Sequence, residues 1–251
     1  MTAPTSDVLR LEGVAKTFTM HLRGGAVLSV VRDVTLAVRS GECVVLGGPS
    51  GAGKSSILKM IFGNYRVDAG SILALSQGTW TDIATASPRC ILALRRGTLG
   101  YVSQFLRTIP RVAAIDIVTN AALQGSEFTP TAAGDAEQSA DDRLERARQH
   151  AETLLGRLNL PKRLWHLPPA TFSGGEQQRV NIACGFAASR SILLLDEPTA
   201  SLDAENRAAV VDLVHESRSR GAAILGIFHD EDVRRRVANR IVDVTQFQVR
   251  E

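Results

Sequence analysis

The sequence predicts an α/β fold with a mainly parallel sheet at its core, an N-terminal antiparallel β subdomain and a helical subdomain. Three observations predict it. A glycine-rich loop at residues 48–55 stands between a buried-strand pattern and a helix pattern, and an uninterrupted apolar run at residues 192–195 ends in two acids. Residues 8–40 alternate apolar and polar in two runs separated by Gly24-Gly25. With 251 residues, 44% of them hydrophobic, the chain can bury a full core as a single domain spanning residues 1–251. The core and β subdomain are expected from about residues 1–104 and 190–251, and the helical subdomain from about 105–189.

Taken in order, residues 8–11 and 34–38 read as strands of the antiparallel region, closed by a turn at Gly41. Residues 43–46 read as a buried strand, 56–61 as the helix after the loop, and 72–75 and 99–102 as further strands. From about 105 to 160 the pattern is mostly helical, except near 125–142, whose Gly, Pro, Ser, Thr and Asp content predicts an exposed loop or disordered insert. Helical spacing returns over 141–158 through Leu144, Ala147, Ala151, Leu154, Leu155 and Leu158. The last third alternates again. A helix follows Ser173, a strand covers 192–195, a helix runs from about Ala204 to Arg220, and a strand covers 223–228. Arg234-Arg235-Arg236 reads as a solvated helix face.

The loop Gly48-Pro49-Ser50-Gly51-Ala52-Gly53-Lys54-Ser55 fits G-x-x-x-x-G-K-[ST] at every fixed position, the phosphate-binding loop of a P-loop NTPase core. Glycines let the backbone curl until successive N–H groups face inward at a helix start, where the helix dipole favours phosphate oxygens. Lys54 would reach the β- and γ-phosphates. Ser55 would present its hydroxyl to Mg²⁺, a hard cation that takes its other ligands from waters, phosphate oxygens and a carboxylate. The expected nucleotide contacts are thus Gly48, Pro49, Ser50, Gly51, Ala52, Gly53, Lys54, Ser55 and Ser56.

Asp196-Glu197 closes the apolar run at residues 192–195, as a buried parallel strand delivering two carboxylates to a sheet edge would. In this Walker B pattern Asp196 is expected to hold Mg²⁺, and Glu197 to polarise the attacking water. Ser173-Gly174-Gly175-Glu176 opens a helix whose bare N–H groups and free hydroxyl suit a γ-phosphate. The same four residues satisfy the capping box S-x-x-E, in which Ser and Glu serve each other's backbone N–H groups. Both readings can hold together.

On these motifs the chain resembles the ATP-binding cassette (ABC) ATPases. Thr171-Phe172-Ser173-Gly174-Gly175-Glu176-Gln177-Gln178-Arg179 is similar to that family's signature motif, with Glu176 in place of the usual glutamine. The resemblance covers essentially the whole chain. It implies that Phe18 stacks on adenine, that Gln104 is the Q-loop glutamine serving catalysis and metal, that Asp203 of Ser201-Leu202-Asp203 belongs to the D-loop, and that His229 is the catalytic switch histidine. Read without the family, Phe18 fits ordinary core as well as a base platform, and His229 fits a solvated strand end. The family further implies ATP and Mg²⁺ as cofactors and hydrolysis to ADP and phosphate. It also implies a head-to-tail dimer with a second ABC ATPase, like or unlike, each ATP lying between one phosphate loop and the other signature helix.

Around these motifs, residues 103–112 and 170–186 are similar to the PhnL-type ATP-binding proteins of phosphonate carbon-phosphorus lyase systems. That implies soluble lyase core proteins as partners, with residues 105–123 as the coupling surface. Two other functions use the same residues: the ATPase subunit of a lipoprotein-release or macrolide-type exporter, whose permease is a separate chain, and a non-enzymatic ATP-gated clamp.

Composition removes several classes. Lys and Arg number 29 against 26 Asp and Glu, a net +3 that phosphate binding alone could use and that gives no reason to expect nucleic acid. Cys43, Cys90 and Cys184 are odd in number and widely spaced, which suggests neither a disulfide framework nor a zinc site. No run approaches the about 18 apolar residues of a membrane span. A cytoplasmic chain without direct membrane insertion is expected.

Overall fold

The structure is a computed structural model that describes residues 6–20, 25–104, 110–125 and 140–248. Its elements run β1 (Asp7–Met20), β2 (Ala26–Arg39), β3 (Cys43–Gly47), α1 (Lys54–Ile61), β4 (Ala69–Ser76), β5 (Thr79–Asp82), α2 (Pro88–Gly97), β6 (Leu99–Val102) and α3 (Ala114–Leu123). They continue with α4 (Ala140–Arg157), α5 (Gly174–Ala187), β7 (Ile192–Asp196), α6 (Ala204–Ser219), β8 (Ala223–Ile227), α7 (Glu231–Val237) and β9 (Arg240–Asp243).

Two sheets result, as the two hydrophobic patterns require. The alternating strands form an antiparallel sheet in the order β2-β1-β4-β5, with Leu9, Leu11 and Val14 turned into the core. The short apolar strands form a parallel sheet in the order β6-β7-β8-β3-β9. Every residue of β3, β7 and β8 is buried, because both faces of this sheet are covered. Alternate side chains go to different cores: Cys43, Val45, Leu193 and Leu195 to one, Val44, Leu46, Ile192 and Leu194 to the other. The first core also takes in α3, α4 and α5 through Ile115, Val118, Ala151, Leu155, Val180 and Ala183.

Departures from the sequence reading have local causes. Leu144 lies on the predicted helical stripe yet is 48% exposed. Residues 140–142 belong to α4 and not to an insert, since Asp141 and Asp142 sit in its first turn, where the helix dipole favours acids. Gly125 is buried at the other end of that stretch, packed against Ala122 and Ala188. The rest of the predicted insert, residues 126–139, lies outside the described residues, as does 105–109 of the predicted coupling segment. Helix α2 and strands β5 and β9 are additions. Ser87 caps α2 by accepting from the Cys90 N–H at 3.3 Å, with Pro88 in the first turn.

Candidate active site

All strands of the second sheet are parallel, so the ends of β3, β6, β7 and β8 open on one edge, the usual ligand edge of such sheets. The phosphate loop leaves β3 there. Gly53 precedes α1 in a left-handed conformation, φ 96°, with no side-chain cap, which leaves the first-turn N–H groups of α1 open toward a phosphate. A side chain at Gly53 has no room: its Cβ would stand 2.6 Å from Val31 and 3.0 Å from Val30 on β2. Lys54, 7% exposed, folds over the loop and donates to the carbonyls of Gly48 at 2.8 Å and Pro49 at 2.7 Å. Ser56 follows on α1, half-buried.

From β7, the buried Asp196 accepts a hydrogen bond from the Ser55 hydroxyl at 2.9 Å on one oxygen and from the Tyr101 hydroxyl at 2.8 Å on the other. Hydroxyl and carboxylate are hard oxygen donors, and the pair fits Mg²⁺. Among the described residues no group of three or more His, Cys, Asp or Glu side chains could hold a metal. The pair therefore suits an ion whose remaining ligands are water and phosphate.

Glu197 takes φ 53°, rare for a residue with a side chain, and its N–H is held by the Ile227 carbonyl at 3.1 Å. Such outliers persist where the surroundings over-determine them, often at active sites. One carboxylate oxygen lies 2.7 Å from Nε2 of His229, just past β8, and the other accepts from the Gln104 side-chain N–H at 3.3 Å. Gln104 thus joins the Glu197 carboxylate directly. It makes no hydrogen bond to Ser55 or Asp196, its expected metal companions, although all three line one groove.

Phe18 lies near the loop through β2. Lys16 pairs with Val31 and Phe18 with Leu28, so the ring is a short step along the sheet from the valines that touch Gly53. The ring is half-buried and meets Tyr65 edge-on at 5.2 Å.

The signature residues are set otherwise. Ser173 caps α5, and Glu176 closes the capping box, its carboxylate accepting from the Ser173 N–H at 2.8 Å and hydroxyl at 2.7 Å. These bonds hold its carboxyl below the usual range. Among the described residues no hydrogen bond joins Ser173, Gly174, Gly175 or Glu176 to the phosphate loop of the same chain. Asp203 caps α6, accepting from the Asn206 N–H and side-chain amide, each at 2.9 Å.

Three residues with no role assigned from the sequence, Gln178 among them although it stands inside the signature stretch, complete the arrangement. Tyr101 holds Asp196, and its only sequence signal is an aromatic at the end of a short strand. Buried Gln178 donates to the Pro198 carbonyl at 3.1 Å, and Asn181 donates to the Ser103 carbonyl at 2.6 Å. Helix α5 is thereby tied both to the segment after Glu197 and to the residue before Gln104. A groove of about 800 Å³ opens beside these groups, lined by Ser55, Asp196, Tyr101, Gln104, Ile117 and Cys184 among others.

A family model described as ABC transporter matches residues 31–200. The chain belongs to the ABC transporter family. It is 37% identical over 228 residues to the lipoprotein-releasing system ATP-binding protein LolD of Maricaulis maris, covering 90% of this chain and 89% of that protein. It is 33% identical over 244 residues to the macrolide export ATP-binding/permease protein MacB of Brucella melitensis, covering 97% of this chain but 34% of MacB. The ATP-binding cassette MJ0796, solved as a dimer in a post-hydrolysis state bound to ADP and Pi, superposes with a TM-score of 0.76 at 26% identity over 94% of this chain and 95% of that one. This ABC chain is therefore an ATPase with the cassette fold. These relatives carry names from lipoprotein release and macrolide export, so the expectation of a phosphonate lyase role and lyase core partners gains no support from them.

Proposed function

We propose that this ABC ATPase is the Mg²⁺-ATP-hydrolysing unit of an exporter of the lipoprotein-release or macrolide type, working on a membrane permease. Its likeness to LolD along nearly the full length of both proteins favours this over the phosphonate reading. The observation that carries the chemistry is the meeting of Ser55 with Asp196, and of Glu197 with His229 and Gln104, at one sheet edge. Ser55 and Asp196 would hold Mg²⁺, which when bound offsets charge on the β- and γ-phosphates. Lys54 turns from the loop carbonyls to the phosphates, and Glu197 takes the proton of the attacking water while His229 and Gln104 fix its two oxygens.

The cap of α5 belongs to a second copy's site in this reading. Its bonds are all internal, so it is a rigid preformed surface, and the dimeric state of MJ0796 favours docking it on the nucleotide of a partner chain. The groove lined by Gln104, Ile117 and Cys184 suits the permease, because a group seated there sits against Gln104 and so against Glu197.

Affinity capture with a tagged Glu197→Gln chain held in Mg²⁺-ATP tests the reading, with membrane and soluble fractions identified separately. An integral membrane permease whose addition raises the wild-type ATPase rate is expected. Capture of soluble carbon-phosphorus lyase proteins with no permease would overturn the exporter reading in favour of the phosphonate one.

A further inference from the structure

The Phe18 ring is held by residues outside every motif. Strand β1 is irregular beside it: its register with β2 shifts between Val14 and Lys16 and again between Lys16 and Thr17. Bulges of this kind bend a strand and re-aim the side chains that follow, commonly next to active sites. Here the bend is tied to the loop between α1 and β4. The Asp68 N–H donates to the Ala15 carbonyl at 3.1 Å, and its carboxylate accepts from the Thr17 N–H at 2.7 Å and the Lys16 ammonium at 2.8 Å.

That ammonium also lies against the aromatic. Lys16, only 8% exposed, has its nitrogen 5.1 Å from the Phe18 ring centroid, and the Tyr65 ring meets the same ring at 79°. Tyr65 in turn lies 5.6 Å from the ammonium of Lys59, on the helix that begins at Lys54. Burial by itself would raise the Asp68 carboxyl, but the bonds from Lys16 and Thr17 outweigh it and hold the group below its usual range. Asp68 is charged at neutral pH, so the Lys16 ammonium stays beside the ring. A cation at one face of an aromatic draws on its π density. The other face then suits an electron-rich purine.

We infer that Lys16, Asp68 and Tyr65 are positioning residues for the nucleobase, fixing the Phe18 ring at its distance from the phosphate loop. The inference rests on Phe18 being the base platform of the proposed ATP site. Base-free tripolyphosphate separates the two questions, since it engages the phosphate loop alone.

Calorimetry on the full chain with Mg²⁺-ATP and with Mg²⁺-tripolyphosphate tests it, using Asp68→Asn and, as a second variant at a different contact, Tyr65→Leu. Each is expected to weaken ATP by about tenfold, within the range for loss of a base-aromatic stack, and to leave tripolyphosphate within about twofold. In a Phe18→Ala background Asp68→Asn should have no further effect on ATP, because the ring it positions is gone. Equal losses for both ligands, unchanged ATP affinity, or an undiminished effect without Phe18 would each overturn the inference. Should Phe18→Ala itself leave ATP preferred over tripolyphosphate to the wild-type degree, the platform reading fails first and takes this inference with it. Loss of tripolyphosphate binding in Lys54→Ala confirms in the same experiment that the phosphate loop is intact as a site.

Discussion

Replacing Glu197 with glutamine separates binding from chemistry more cleanly than any other change in this site. Both carboxylate oxygens are engaged, one with His229 at 2.7 Å and one with Gln104 at 3.3 Å. An amide can keep both contacts if its oxygen faces Gln104 and its NH₂ faces the His229 Nε2 in the tautomer that accepts. Folding stability should then stay within about 0.5 kcal/mol, as for changes that leave packing and partners in place. The groups proposed for phosphate and metal, Lys54, Ser55 and Asp196, are untouched, so Mg²⁺-ATP affinity should stay within about threefold of wild type. What disappears is the proton acceptor of the proposed mechanism. A positioned base is worth roughly 10² to 10⁴ in rate. At about 1.36 kcal/mol per tenfold, that is about 2.7 to 5.4 kcal/mol on the barrier to hydrolysis. Phosphate release under saturating ATP, titration with a fluorescent ATP analogue, and the melting midpoint measure the three quantities. Turnover within about threefold of wild type would refute the assignment of Glu197 as the base. A matching loss of ATP affinity would refute the claim that it acts on the transition state alone.

Two further outcomes follow from particular bonds. Tyr101→Phe removes a hydrogen bond to the Asp196 carboxylate, a class worth about 1.5–3 kcal/mol, so the Mg²⁺ needed for half-maximal nucleotide binding should rise about tenfold while Mg²⁺-free binding holds. An unchanged Mg²⁺ requirement would refute a role for Tyr101 in placing the Asp196 carboxylate. The carboxyls of Glu216, Asp203 and Asp230 are held below their usual range, chiefly by the Arg157 guanidinium, the Asn206 N–H and the Val233 N–H respectively. Depressed native values mean the unfolded chain binds more protons, so their stabilisation is full above the ordinary carboxylate range of about pH 4 and is lost as pH falls through the native values. The melting midpoint should be flat from pH 7 to about pH 5 and fall steeply below pH 4, and Glu216→Gln should reduce that acid loss; a wild-type midpoint insensitive to pH 3 would refute it.

Much of this fold was legible because its signals are local. The all-apolar runs at 43–46 and 192–195 become strands buried on both faces, and the alternating runs of residues 8–40 become the hairpin β1–β2. Helix α2 carries a local signal too, since Ser87-Pro88 is a start signal in its own right. Strand β9 was not, since it is four residues long with only Val242 buried, and it exists as a strand only by pairing with β3 some two hundred positions away. Leu144 fits the helical stripe of α4 but falls outside the face that α3 and α5 cover, which spacing alone cannot report.

For the site, the sequence by itself named the groups to which the proposed chemistry is assigned. Phosphate binding needs a glycine-rich turn, a lysine and a hydroxyl within a few residues, and a parallel strand ending in two acids is equally compact. Local backbone physics fixes such motifs wherever they occur. Only the tertiary structure decided how they meet: that Gln104 and His229 take opposite oxygens of Glu197, that Tyr101 rather than Gln104 shares Asp196 with Ser55, and that Glu176 turns inward to cap its own helix. Those choices depend on strand order, on the reach of side chains across it, and on the bulge and ion pair that hold Phe18, and none of these has a signature within a stretch of sequence.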